Sequence, residues 1–203
     1  MHAFDSRATA LVVIDLQNDF LAPGGAYDRG GAVSPQARAL PARVAPLARA
    51  LKAAGGFVAA SQFTLWPDAQ GEPMISPHLK RLRPFLARGD FAAGSTGHAN
   101  VAAFDGLIDV SVCKVAYSAF FNTQLDWVLR RAGISNLIVA GIVTNGGVAS
   151  TCCVTTPCRG DHVRGGSQIA DQRKSPDLHG RYDRLSNTHG CITSVGMVDF
   201  LVL

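Results

Sequence analysis

A chain of 203 residues that is 47% hydrophobic and 17% charged can bury a full core, which excludes a disordered or fibrous protein and points to one domain over residues 1–203. The formal charge of +4 does not imply nucleic acid, because lysine and arginine are scattered except at Lys80, Arg81, Arg83 and Arg88, which read as a solvated face. The apolar run from Ala8 to Ile14 stops at Asp15, too short for a signal peptide or a membrane span, so a cytoplasmic protein with no membrane partner is expected. The five cysteines lack zinc-ribbon spacing and read as reduced thiols.

Ala10 to Ile14 is a continuous apolar run, the pattern of a strand covered on both faces, and it delivers Asp15 at its carboxyl end. A helical period follows at Leu40, Val44, Leu47, Leu51 and Ala54, closed by Gly55-Gly56. Ser34-Pro35 suits its N-cap and first position, although Pro41 and Pro46 predict a later start or a kink. Phe57 to Phe63 is a second strand, and Thr64 to Gly97, rich in proline and glycine, is a long functional loop with at most short helices. Val110 to Val115 is a third strand that carries Lys114. Asn122 or Thr123 then caps a helix with apolar positions Leu125, Val128, Leu129 and Ala132, ended by Gly133. Leu137 to Ala140 is a fourth strand, and Gly141-Ile142-Val143-Thr144-Asn145-Gly146-Gly147 turns it into a helix.

Strands alternating with helices imply a parallel sheet, and ligands of such sheets bind beyond the carboxyl ends of the strands. Asp15, Lys114 and the turn from Thr144 to Gly147 all fall there. A carboxylate partly removed from water has a raised pKa suited to proton transfer, although Asp15 also fits a capping role beside Asn18 and Asp19. Lys114 ends an apolar strand, where an ammonium either reaches water or pairs with a carboxylate. The Gly146-Gly147 turn bares backbone N–H groups that suit an anion or oxyanion, and it also suits plain loop geometry.

Four stretches carry a family resemblance: ALVVIDLQNDFLAPGG (Ala10 to Gly25), RGDFAAGSTG (Arg88 to Gly97), KVAYSAFFNTQLD (Lys114 to Asp126) and GIVTNGGVAST (Gly141 to Thr151). In order and spacing they resemble the isochorismatase-like hydrolase superfamily, which includes cysteine hydrolases such as nicotinamidases, N-carbamoylsarcosine amidohydrolase and ureidoacrylate amidohydrolase. The resemblance implies an α/β three-layer sandwich with a six-stranded parallel sheet flanked by helices. It also implies a catalytic Asp15–Lys114 pair, a cis peptide at Ile142-Val143, oxyanion-hole amides at Val143 and Gly147, and a homo-oligomer, either dimer or tetramer. Phe20, Trp66, Tyr117 and Phe121 are read as pocket walls, with core packing competing for Phe20 and Phe121, and Thr144 and Asn145 join them as substrate-binding residues.

The chain departs from the pattern at Gly147, where the amidohydrolases carry their nucleophilic cysteine. Without a thiol no acyl-enzyme forms there, and neither Cys152, five residues along the helix, nor Cys113, on the face opposite Lys114, replaces it. Isochorismatases, by resemblance, also carry glycine here and cleave a vinyl ether with water, the aspartate donating a proton. The expected function is therefore Asp-assisted hydrolysis of a small metabolite by water, without cofactor or metal. The alternatives are a ureidoacrylate- or N-carbamoyl-type amidohydrolase with an altered nucleophile, closer in the Asp15 stretch, and an inactive binding protein on the same fold. The segment after the second strand holds Asp68 but no histidine, and the lone His78 and His98 read as surface or capping residues.

Residues 152–176 lack the apolar run and periodicity that the resemblance calls for. They are expected to be a disordered or rearranged edge, or the product of a shifted reading frame. From Asp177 the pattern partly returns, with Thr193 to Leu201 placed where the superfamily has its last helices.

Overall fold

Runs of consecutive apolar residues, rather than alternating ones, set the centre of the molecule. The computed structural model describes residues 5–154, 192–195 and 198–202. In β1 (Thr9–Ile14) every residue is buried, because both faces of the strand are covered. It is flanked by β2 (Phe57–Phe63) and β4 (Asn136–Gly141), and β3 (Val110–Lys114) lies outside β2, all four strands running parallel. Alternate residues of β1 serve opposite layers. Leu11 and Val13 pack with Val44, Ala45, Ala48 and Leu51 of α3 (Pro35–Ala53), while Ala10, Val12 and Ile14 pack in the layer that holds Leu125 and Leu129 of α5 (Leu125–Arg131).

Several local expectations hold. Ser34 caps α3 by accepting from the Ala37 N–H, with Pro35 in the first turn. Pro41 and Pro46 lie inside this helix without delaying its start, since its buried stripe, Pro41 included, outweighs the two lost N–H donors. The long loop contains the short helix α4 (Pro77–Leu82), preceded near the N-terminus by α1 (Asn18–Leu21) and α2 (Ala26–Arg29). The cap of α5 is Gln124 rather than Asn122 or Thr123. Asn122 takes the left-handed region at φ +53°, and Thr123 Oγ1 accepts from the Leu125 N–H at 3.2 Å.

The six-stranded parallel sheet is not what forms. The parallel core is four-stranded, β1 to β4, and beyond β4 the sheet becomes mixed, with the order β3-β2-β1-β4-β6-β5. There β6 (Val198–Val202) runs parallel to β4, but β5 (Ile192–Val195) is antiparallel to β6. The reason lies in the connection: two residues separate β5 from β6, whereas a parallel link needs a crossover of about a dozen or more. The expected helices over Thr193 to Leu201 are these two strands, in keeping with their β-branched and aromatic content. The expectation for 152–176 lies, from 155 onward, outside the described residues. Among the described residues no helix is long and apolar enough to cross a membrane.

Candidate active site at the carboxyl ends of the strands

Asp15 follows β1 directly and turns the chain sharply, at φ +56°. Aspartate is one of the few side-chain-bearing residues that enters this left-handed region readily, and the bend holds its carboxylate over the strand ends. The backbone is gripped on both sides: the Asp15 N–H donates to Ser61 O at 3.1 Å, and the Gln17 N–H donates to Asp15 O at 2.8 Å.

The carboxylate is buried among three elements. Lys114 Nζ, from the end of β3, meets Asp15 Oδ2 at 2.7 Å, with side-chain exposures of only 2% and 6% for the pair. The same ammonium donates to Ala116 O at 3.0 Å and Tyr117 O at 3.1 Å, so all three of its N–H groups are satisfied. Ser61 Oγ, from β2, donates to Asp15 Oδ1 at 2.8 Å. The Phe63 ring stands with its centroid 5.8 Å from Lys114 Nζ, a cation–π approach on the apolar side. Burial pushes the Asp15 carboxyl above the ordinary carboxylate range, and the Lys114 ammonium, the Ser61 hydroxyl and the Phe63 backbone amide draw back part of that rise.

The glycine turn arrives from β4. Gly141, at φ +152°, lets β4 approach β1 so closely that a Cβ there would stand 2.2 Å from Ile14 O. The Ile142-Val143 peptide is cis, and a single π-helical turn, Thr144–Val148, leads into α6 (Ala149–Val154). Val143 O accepts from the Gly146 N–H at 3.0 Å, while the Val143 N–H makes no hydrogen bond among the described residues. Thr151 Oγ1 donates to Gly147 O at 2.6 Å and accepts from the Ala119 N–H at 3.0 Å, tying the turn to the loop after β3. A Cβ placed on Gly147 would stand 3.4 Å from Asp15 Oδ2, and 2.9 Å from both Ile14 Cγ2 and Ile142 O.

Asp15, Lys114 and Gly147 are thus brought together, with Ile142 buried beside them. Val143, Thr144 and Asn145 are exposed on the turn. Trp66, Tyr117 and Phe121 are each about half-exposed, whereas Phe20 is partly buried in an aromatic cluster, with ring centroids 4.6 Å from Tyr27 and 4.5 Å from Phe91. Cys113 is exposed while Lys114 beside it is buried, as strand alternation requires.

Sequence reasoning passed over the residues that hold the site rigid. Gln17, fully buried, donates to Phe63 O and His98 O and accepts from the Phe63 N–H. Asp19 accepts from the N–H groups of Ala26 and Phe91, and its carboxylate fills the space a side chain at Gly97 would take. His98 is not a surface residue: it is buried, with Nε2 2.8 Å from Thr64 Oγ1, and burial pushes its imidazole below the ordinary value against the opposing pull of Asp19. Among the described residues no group of three or more His, Cys, Asp or Glu is placed to hold a metal ion.

The arrangement offers one buried carboxylate, one cation in contact with it, and a glycine turn beside the carboxylate. Known proteins share its frame. The isochorismatase domain profile matches residues 9–156. The ureidoacrylate amidohydrolase RutB of Methylorubrum extorquens is 37% identical over 159 residues, covering 73% of this chain, and the chain spans 64% of that protein's length. Among solved structures, a cysteine hydrolase from Pseudomonas syringae pv. phaseolicola superposes with a TM-score of 0.60 at 25% identity, covering 74% of this chain and 67% of the other. An isochorismatase family protein from Desulfovibrio vulgaris does so at 0.56 and 27%, covering 73% and 74%. With the profile matching most of its length and the Asp15–Lys114 pair seated at the strand ends, the chain belongs to the isochorismatase domain family, within the isochorismatase-like hydrolase superfamily.

Proposed function

We propose that this chain hydrolyses a small metabolite by acid-assisted attack of water, with Asp15 as the acid and no thiol at position 147. One observation carries the reading: the substituent position of Gly147 lies 3.4 Å from Asp15 Oδ2, so the place where a nucleophile would face the acid holds only hydrogen. Water is then the attacking group. For a vinyl ether, Asp15 donates its proton to the terminal alkene carbon, and water adds to the resulting oxocarbenium carbon. The hemiketal collapses to a ketone and an alcohol, and the proton released by water returns to the carboxylate. Lys114 contributes a fixed positive charge that stabilises the carboxylate while its proton is away. The Val143 and Gly147 amides bind a substrate oxygen, with Thr144 and Asn145 at the rim and Trp66, Tyr117 and Phe121 as apolar walls. We further propose a homo-oligomer, checked by light scattering.

The 37% identity to an amidohydrolase supports a second reading, in which ionised Asp15 activates water toward a ureido or amide carbonyl. One assay separates the two. Isochorismate, small amides and ureido acids are offered to the wild type and to Asp15→Asn. Pyruvate release from isochorismate, falling at least about 100-fold in the variant, is the expected result. Ammonia release from a ureido acid selects the amidohydrolase, equal rates in the two proteins remove Asp15 from the mechanism, and folded wild-type protein that turns over nothing points to a binding role.

A further inference from the structure

We infer that Ser61 is a positioning residue that decides which oxygen of Asp15 carries the catalytic proton, holding it on Oδ2, the oxygen that faces Gly147. The inference rests on the reading of Asp15 as the acid. Ser61 is fully buried in β2, and its hydroxyl has one hydrogen-bond partner among the described residues, Asp15 Oδ1. A hydroxyl has one hydrogen to give. If the acid proton sat on Oδ1, it would point at Ser61 Oγ, and the serine hydrogen would lose the one acceptor that the described residues give it. A buried donor without a partner is costly, so Oδ1 stays the acceptor. On the other side, Oδ2 accepts from Lys114 with one lone pair and keeps a second for the proton.

The register makes this assignment rigid. Ile14 pairs with Ser61 across the parallel ladder, and the Ser61 carbonyl accepts from the Asp15 N–H. One residue therefore holds both the backbone and the carboxylate of the acid. Among the described residues Lys114 is the one charged group bonded to this carboxylate. The Asp19 carboxylate is turned away, toward the Ala26 and Phe91 amides, and the Gly147 turn carries no charge.

The test compares wild type, Ser61→Ala and Ser61→Thr. Infrared difference spectra against Asp15→Asn follow the Asp15 carboxyl band as pH is varied, and isochorismate turnover is measured over the same range. Removing the hydroxyl takes a hydrogen bond from the charged form, so Ser61→Ala raises the Asp15 midpoint by about one pH unit, roughly tenfold in its ionisation constant. The band broadens as the proton spreads over both oxygens. The alkaline limb of turnover moves up with the midpoint, and kcat falls roughly tenfold with KM little changed, since proton transfer rather than binding is disturbed. Ser61→Thr restores all of these. If Ser61→Ala does not fold, Ser61→Cys, which keeps the volume and gives up the strong donor, makes the same comparison. A midpoint and band in Ser61→Ala equal to those of the wild type overturn the assignment. A wild type that turns over nothing overturns the hydrolase reading instead, and the infrared titration still decides what Ser61 does.

Discussion

Gly147 is hemmed in as well as set beside the Asp15 carboxylate. A Cβ there would meet Ile14 Cγ2 and Ile142 O at 2.9 Å, inside ordinary contact, and one of those two is backbone. Gly147→Cys is therefore expected to lower stability by about 1–3 kcal/mol in urea denaturation, as overpacked sites do. If the variant folds, gain of amidase activity would show that the rest of the pocket suits thiol chemistry, and a stability equal to the wild type would mean the turn yields freely. At this scale the sequence was partly readable. Asp15 and Lys114 each end an apolar strand, and each makes sense of the other's burial. Ser61 stayed hidden, because a serine in the strand FVAASQF is unremarkable until the β1–β2 register sets its hydroxyl against Asp15.

The elements around the site are fastened by the short stretch after β1. Gln17, Asn18 and Asp19 hold the loop at Phe91 and from Gly97 to Ala99, and His98 is its hub: its carbonyl accepts from Gln17 and Gln62, and its ring meets Thr64. A histidine whose folded pKa lies below its unfolded one favours the folded state fully above the ordinary value of about 6.5, and that contribution is lost as pH falls toward the folded value, because the unfolded chain takes the proton first. Because the raised Asp15 carboxyl acts in the opposite sense, the readout is the difference: from pH 7.5 down to pH 5 urea midpoints should move downward more in the wild type than in His98→Gln, and identical slopes would show that His98 takes its proton without cost. The proline- and glycine-rich character of Thr64 to Gly97 announced a long loop. What it did not announce was burial within that loop, which depends on the distant anchors Gln17 and Asp19.

Over the whole molecule, β1 and β4 were legible because strands buried on both faces write themselves as apolar runs, whereas β3 at the sheet edge alternates, with Ser111 and Cys113 exposed. The mixed edge was not legible, since β5 and β6 are short and their direction follows from the two residues that separate them rather than from any apolar pattern. That sheet closes over an ion pair with almost no exposure, and the closure binds the two residues' fates together. Lys114→Met leaves a buried carboxylate alone and should cost about 3–5 kcal/mol in denaturant unfolding, whereas adding Asp15→Asn, which suits the φ of +56°, should recover much of that loss. A double variant no more stable than Lys114→Met would break this coupling. In evolutionary terms the pair works as a ratchet. A descendant cannot shed the carboxylate or the cation one at a time without weakening its fold, so the pair persists until both change together.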